Sequence, residues 1–304
     1  MGIDDAIALL MALAHPETEI EALTTVVGNV PLAQATLNTG VVLDIADAPL
    51  TPIYRGCARP LLQNDPLHAL DVHANDGLGG VGRAETTRLI EAEHAALALI
   101  RLAREQSGAL TLLTLGPLTN IALALRLAPD LLTHFERIVM MAAAVDGRGN
   151  TSPPAEFNIA VDPEAAKIVF DACQTVADRV WLVSWEASLT HATPFAEWRA
   201  MIEAGESPVT QFVQGMSVYI EQAMAQWGQP TIPWADPLAA AVALRPDIVT
   251  NAEVRPIAVE TGHNLARGQT IVDYRPSSQS PATANIVRAV DEQKFHELLC
   301  LVVQ

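Results

Sequence analysis

Five short stretches hold oxygen-bearing groups that could act together. The chain opens "MGIDDAIALL", with the acids Asp4 and Asp5 at the mouth of an apolar run. One acid suffices to cap a helix. Two side by side repel each other unless a cation or a hydroxylated ligand relieves them. "TTVVGNV" sets Asn29 just after a glycine, where an Asn also suits a plain turn. "LTLGPLTNIALAL" turns at Gly116, which would leave the Leu115 carbonyl free, and Pro117 reads as the first residue of a helix. "GNTSPPAEFNIAVDPEAA" packs Asn150, Glu156 and Asn158 into one polar loop before a helix capped by Asp162–Pro163. "IPWADPLAAAVAL" offers Asp236–Pro237, which reads as an N-cap and first helical residue. Each feature alone is an ordinary turn or cap. Together, Asp5, the Leu115 carbonyl and Asp236 form a hard-oxygen ligand set. Such sets suit calcium, which takes roughly six to eight oxygens. The amides and remaining acids suit hydroxyl groups. No His/Cys cluster suggests zinc.

The elements that must position these residues alternate along the chain. Residues 19–27, 109–115, 137–145 and 178–185 are short apolar runs that read as strands buried on both faces. Residues 32–46, 94–106 and 120–129 read as helices between them. The alternation predicts βαβ units and an open, mostly parallel, Rossmann-like α/β sheet with helices on both faces. Residues 254–260, 268–275 and 284–290 read as further strands, and 291–303 as a closing helix capped by Asp291. No repeat or linker divides residues 1–304, so a single domain is expected, with 186–233 as a helical cap or lid.

Composition narrows the partners. Half the residues are hydrophobic, enough for a sizeable core. The formal charge of -17 disfavours nucleic acid and anionic membranes, and leaves a neutral small molecule or a cation as ligand. Cys57, Cys173 and Cys300 are scattered without a C-x-x-C, so a reducing cytoplasm is expected. No signal peptide or membrane-length apolar run is evident.

In order and spacing, "GIDDAIAL", "TTVVGN", "DGLGG", "GPLTNIALAL", "IVMM", "AEFNIAVDPEAA", "DPLAAAVAL" and "LARGQTIVD" resemble the inosine-uridine-preferring nucleoside hydrolases over essentially the whole chain. The resemblance implies the nucleoside hydrolase fold and calcium-dependent cleavage of ribonucleosides to ribose and a free nucleobase. It implies Asp5, the Leu115 carbonyl and Asp236 as calcium ligands. Asp4, Asn29, Asn150, Glu156 and Asn158 would grip the ribose, with Glu156 stabilising the developing oxocarbenium charge and Asn158 close to the reaction. His73 lies in a loop resembling the family's active-site flap and is a further substrate-binding candidate. A homodimer or homotetramer is implied.

Three departures stand out. In the family the acid pair follows a strand and the pattern D-x-D-P-G-x-D-D, and some members have Met at the Pro position. Met1 stands at that position here. The first strand and the general base would then be absent from this chain, and an upstream start is expected. A ribose- or nucleoside-binding homologue without turnover is the alternative. Ala235 stands where many members carry a leaving-group histidine, which makes His191, His263 and Trp227 candidates for contacting the base. "MMAAAV" replaces a Met-Met-Gly-Gly run, adding methyl groups to one wall of the pocket.

Overall fold

A computed structural model describes residues 1–203 and 205–303. The chain begins with α1 (Ile3–Ala14), β1 (Leu23–Thr25), α2 (Leu32–Ile45), β2 (Ile53–Arg55), α3 (Leu70–His73), β3 (Ile90–Glu91) and α4 (Ala95–Glu105). The middle holds β4 (Thr111–Thr114), α5 (Thr119–Leu127), β5 (Arg137–Met141), α6 (Phe157–Val161), α7 (Pro163–Cys173), β6 (Val180–Val183) and α8 (Trp185–Thr190). It continues with β7 (Thr193–Pro194), α9 (Phe195–Ile202), α10 (Pro208–Gln226), β8 (Thr231–Ile232) and α11 (Ala235–Leu244). The last elements are β9 (Val249–Arg255), β10 (Ile257–Val259), β11 (Thr270–Val272), β12 (Ala284–Val290) and α12 (Glu292–Cys300).

The open, mostly parallel sheet expected from the alternation has the order β4-β5-β6-β12-β9. Its first four strands are parallel, and β9 closes one edge antiparallel to β12. The pleat of β5 divides the interior in two. Val139 and Met141 join a core with α1, α10 and α11, while Ile138 and Met140 join another with α4, α5 and α7. Helices therefore cover both faces. This explains why α1 and α11 are apolar nearly all round: they are buried against the sheet and against each other.

Local chemistry trims the expected elements. The run 137–145 leaves the ladder after Met141, and Ala143 turns with a φ of 79°. The run 254–260 is split into β9 and β10 by Pro256, which has no amide to give to a ladder. Helix α5 begins at Thr119, so Pro117 precedes the helix rather than opening it. Asp162 and Asp291 cap α7 and α12 as expected. Residues 186–233 carry most of α8, all of α9 and α10, and the β7–β8 antiparallel pair. No helix among the described residues is long and apolar enough to cross a membrane.

The run 19–27 contributes only β1, and β1 lies outside the central sheet. It heads a separate parallel sheet, β1-β2-β3. Between β1 and β4 lies a slot of about 560 Å³, lined by Leu23, Thr24, Leu112 and Leu113 and by Ala8 and Leu9 of α1. Among the described residues, no strand pairs with the slot-facing edge of β1 or β4. Their edge amides should therefore open easily. Hydrogen exchange is expected to be much faster for the β1 and β4 amides not bonded to β2 or β5 than for Ile138–Met141. Equal protection would mean that the two sheets join across the slot.

Candidate active site

The carboxyl ends of β1, β4, β5 and β6 lead into loops that converge near the start of α1, as expected for an open α/β sheet. They enclose a cavity of about 270 Å³. Asp4, Asn29, His73, Leu115, Asn150, Glu156, Asn158 and Asp236 all line it. Trp185 and, from α10 and its end, Met224 and Trp227 form an apolar wall.

The amino end of α1 is tightly tied. Asp5 accepts from the Gly2 amide at 2.6 Å and from Asn29 Nδ2 at 3.0 Å. His73 Nδ1 accepts from the Ile3 amide at 3.1 Å, and its Nε2 lies 3.8 Å from Asp4. Burial pulls the His73 pKa down to about 4, so the ring is neutral. Gly2 is required by close approach: an added Cβ would sit 2.5 Å from Asn29 Nδ2.

The polar loop is built around Glu156, which is almost fully buried. Its carboxylate caps α6, accepting from Asn158 N at 2.8 Å and Ile159 N at 3.2 Å, and also accepts from Ala143 N at 2.9 Å. Burial outweighs these bonds and pushes its pKa up to about 7. Asn158 Nδ2 donates toward the carbonyls of Leu115 at 3.2 Å and Met141 at 3.1 Å. Asn150 uses its oxygen on the Phe157 amide at 2.8 Å.

Asp236 is not the cap its sequence suggests. Helix α11 starts at Ala235, so Asp236 lies inside the first turn. It is buried and accepts no hydrogen bond from the described residues. Ligand oxygens of Asp4, Asp5 and Asp236 all lie within 4.8 Å of one another. No Lys or Arg among the described residues pairs with them. Burial, then mutual repulsion, raises the Asp236 pKa well above the usual carboxylate range. Burial likewise raises Asp5, and lifts Asp4 to about 6. A carboxylate cluster of this kind, one member buried and two half-buried, fits a hard divalent cation. Asp5 faces the slot rather than the cavity wall, while the Leu115 carbonyl residue borders both.

Two of the three candidates for base contact are not in the site. His191 is buried elsewhere, accepting from the Val290 amide at 3.2 Å, and His263 is on an exposed loop. Trp227 does line the cavity. Glu186 was not singled out from the sequence. Its buried carboxylate accepts from the amides of Val145 at 3.0 Å, Asp146 at 2.9 Å and Arg148 at 3.2 Å. It thereby pins the loop leading to Asn150 against α8, whose Trp185 faces the cavity. Its place in the strand-to-helix turn after β6 was the available signal.

Two outcomes are expected. Ala143→Gly should relieve the left-handed strain and raise the unfolding free energy by roughly 0.5–1 kcal/mol in denaturant titration; a decrease would contradict that strain. The raised carboxyls favour protonation in the folded state. Without divalent cations, stability should be greater on the acid side and fall as pH rises through about 7, the Glu156 value. Thermal midpoints from about pH 6.5 to about pH 8 test this; at the lower end His73, held neutral in the fold, adds a smaller slope of opposite sign as unfolded histidine titrates near 6.5. A calcium-restored midpoint at the upper end is expected, and a flat profile in chelator would contradict it.

The profile of the inosine-uridine preferring nucleoside hydrolases matches residues 1–297. The pyrimidine-specific ribonucleoside hydrolase RihA of Salmonella schwarzengrund is 35% identical over 298 residues, covering 98% of this chain and 94% of its own. A solved plant nucleoside hydrolase, PpNRh1, has a TM-score of 0.90 at 26% identity, covering 99% of this chain and 96% of that one. A purine-preferring ribonucleoside hydrolase from Gardnerella vaginalis has a TM-score of 0.88 at 26% identity, covering 99% and 95%. With the strand-end cavity and its cluster of acids, these likenesses establish that the chain belongs to the inosine-uridine preferring nucleoside hydrolase family, glycosidases that act on nucleosides.

Proposed function

We propose that this chain hydrolyses the N-glycosidic bond of ribonucleosides in a calcium-dependent reaction, releasing ribose and a nucleobase. The observation that carries the reading is the cluster of buried Asp236 with half-buried Asp4 and Asp5 beside the amides of Asn150 and Asn158. Asp5, the Leu115 carbonyl and Asp236 are the proposed ligands. Bound calcium would supply positive charge that orients a diol and a water and favours the deprotonated water.

The chain's own groups supply the rest. Asn29, Asn150 and Asn158 bind ribose hydroxyls, which such groups discriminate well because a missing hydroxyl leaves them unpaired. Asp4, held beside the neutral ring of His73, binds a sugar hydroxyl or accepts the water's proton. Glu156 lies where positive charge develops on the sugar ring and stabilises it when ionised. Trp185, Met224 and Trp227 keep water from the base side. Residues 186–233 act as a cap on one domain, and the working form is a cytoplasmic homodimer or homotetramer.

A second reading has one observation in its favour. Asp5 is occupied by Gly2 and Asn29 and faces the slot, so a ribonucleoside could bind here without turnover. Ribose release from uridine, cytidine, inosine and adenosine separates the two. Hydrolysis predicts release in calcium, loss in chelator, and a fall on the order of 100-fold in kcat/KM for Asp236→Asn. Calcium- and ribose-dependent thermal stabilisation without release would support the binding protein instead.

A further inference from the structure

We propose that His68 is the proton donor to the departing nucleobase, an assignment that rests on the hydrolase reading above. Cleavage of the glycosidic bond leaves an electron pair on a ring nitrogen of the base. A heterocycle departs far more readily if a proton arrives as that pair develops. The donor must therefore border the cavity and have a nitrogen or oxygen not already committed.

Elimination among the cavity's titratable groups leaves one residue. Asp4 and Asp236 belong to the acid cluster. Glu156 is saturated by three backbone amides. His73 accepts from the Ile3 amide, and its other nitrogen faces Asp4. Asp71 is solvent-exposed. The residue at the head of α11 is Ala235, which has no proton to give.

His68 differs from all of these. It is half-buried and lines the cavity, and its Nδ1 lies 2.7 Å from the carbonyl oxygen of Gly28. A carbonyl only accepts, so Nδ1 carries the proton of that bond and Nε2 is the nitrogen left for a ligand. No described residue hydrogen-bonds to Nε2. The backbone reinforces this placement, because the Ala69 amide donates to the Asn29 carbonyl at 3.1 Å. His68 is thus fixed to the same strand-end loop that carries Asn29. Trp227 and Met224 border the same cavity and supply apolar surface for a base.

The bond from C1′ to the base nitrogen breaks, and its electron pair goes to the base. The imidazolium Nε2–H of His68 gives its proton to the base. Water forms the new C1′–O bond and loses its proton to a carboxylate of the acid cluster. His68 then recovers a proton from solvent.

The test compares leaving groups that need a proton with one that does not. Wild type, His68→Gln and His68→Ala are assayed on uridine, inosine and 4-nitrophenyl β-D-ribofuranoside. Gln can keep a donor to Gly28, and its folding is checked by the thermal midpoint. For the variants, kcat/KM on whichever nucleoside wild type cleaves should fall by about 100-fold or more, while the nitrophenyl riboside stays within about threefold. Added imidazole should restore part of the nucleoside rate to His68→Ala. Equal losses on both substrate types, or no loss on either, would overturn the assignment. A wild type that releases ribose from neither type overturns the hydrolase reading itself, and the donor role with it.

Discussion

Repulsion among three crowded, partly desolvated carboxylates is the constraint on which the site depends. Asp4, Asp5 and Asp236 are gathered at one point although each would be more stable in water. Two helices bring them there. α1 carries the acid pair in its first turn, α11 carries Asp236 in its own, and the two pack against each other. Their positive ends therefore point at the same charge and offset part of its cost. Tethers to Gly2 and Asn29 offset more. What is left over favours a proton or a divalent cation, and the surrounding amides favour a ligand rich in hydroxyls.

The rest of the architecture holds that point in place. The two faces of β5 anchor two separate cores, so helices on both sides fix the strand ends from which the loops start. Ala143 accepts a left-handed backbone there, and in exchange its amide reaches Glu156 and its carbonyl accepts from Trp185. Backbone strain at a site persists only when the surroundings over-determine it. Glu186 supplies part of that determination by holding the amides of Val145, Asp146 and Arg148 in the loop that follows.

Much of this was legible in the sequence because the site residues sit at strand-to-helix turns, which leave a local mark. Apolar runs broken by Gly, Asn or Asp located the cavity-lining Asn29, Leu115, Asn158 and Asp236. Periodicity could not show that residues 19–27 would leave the central sheet, because strand pairing is set by distant partners. It also could not separate Asp236 as a free carboxylate from Asp236 as a cap, since the two differ by one residue in the start of α11. His191 and His263 were eligible by type alone, and packing removed both. His68 has no distinctive spacing, and Glu186 is marked only by its place in the turn after β6. Their significance comes from partners far along the chain, at Gly28 and at residues 145–148.

The most direct measurement is a calcium titration by isothermal calorimetry, repeated near neutral pH in two buffers of different ionisation enthalpy. The raised carboxyl pKa values require protons to leave as the cation enters. One saturable site with a buffer-dependent heat, lost in Asp236→Asn, is the expected result. No saturable calcium binding to the intact protein would contradict the central claim that the acid cluster is built for a cation.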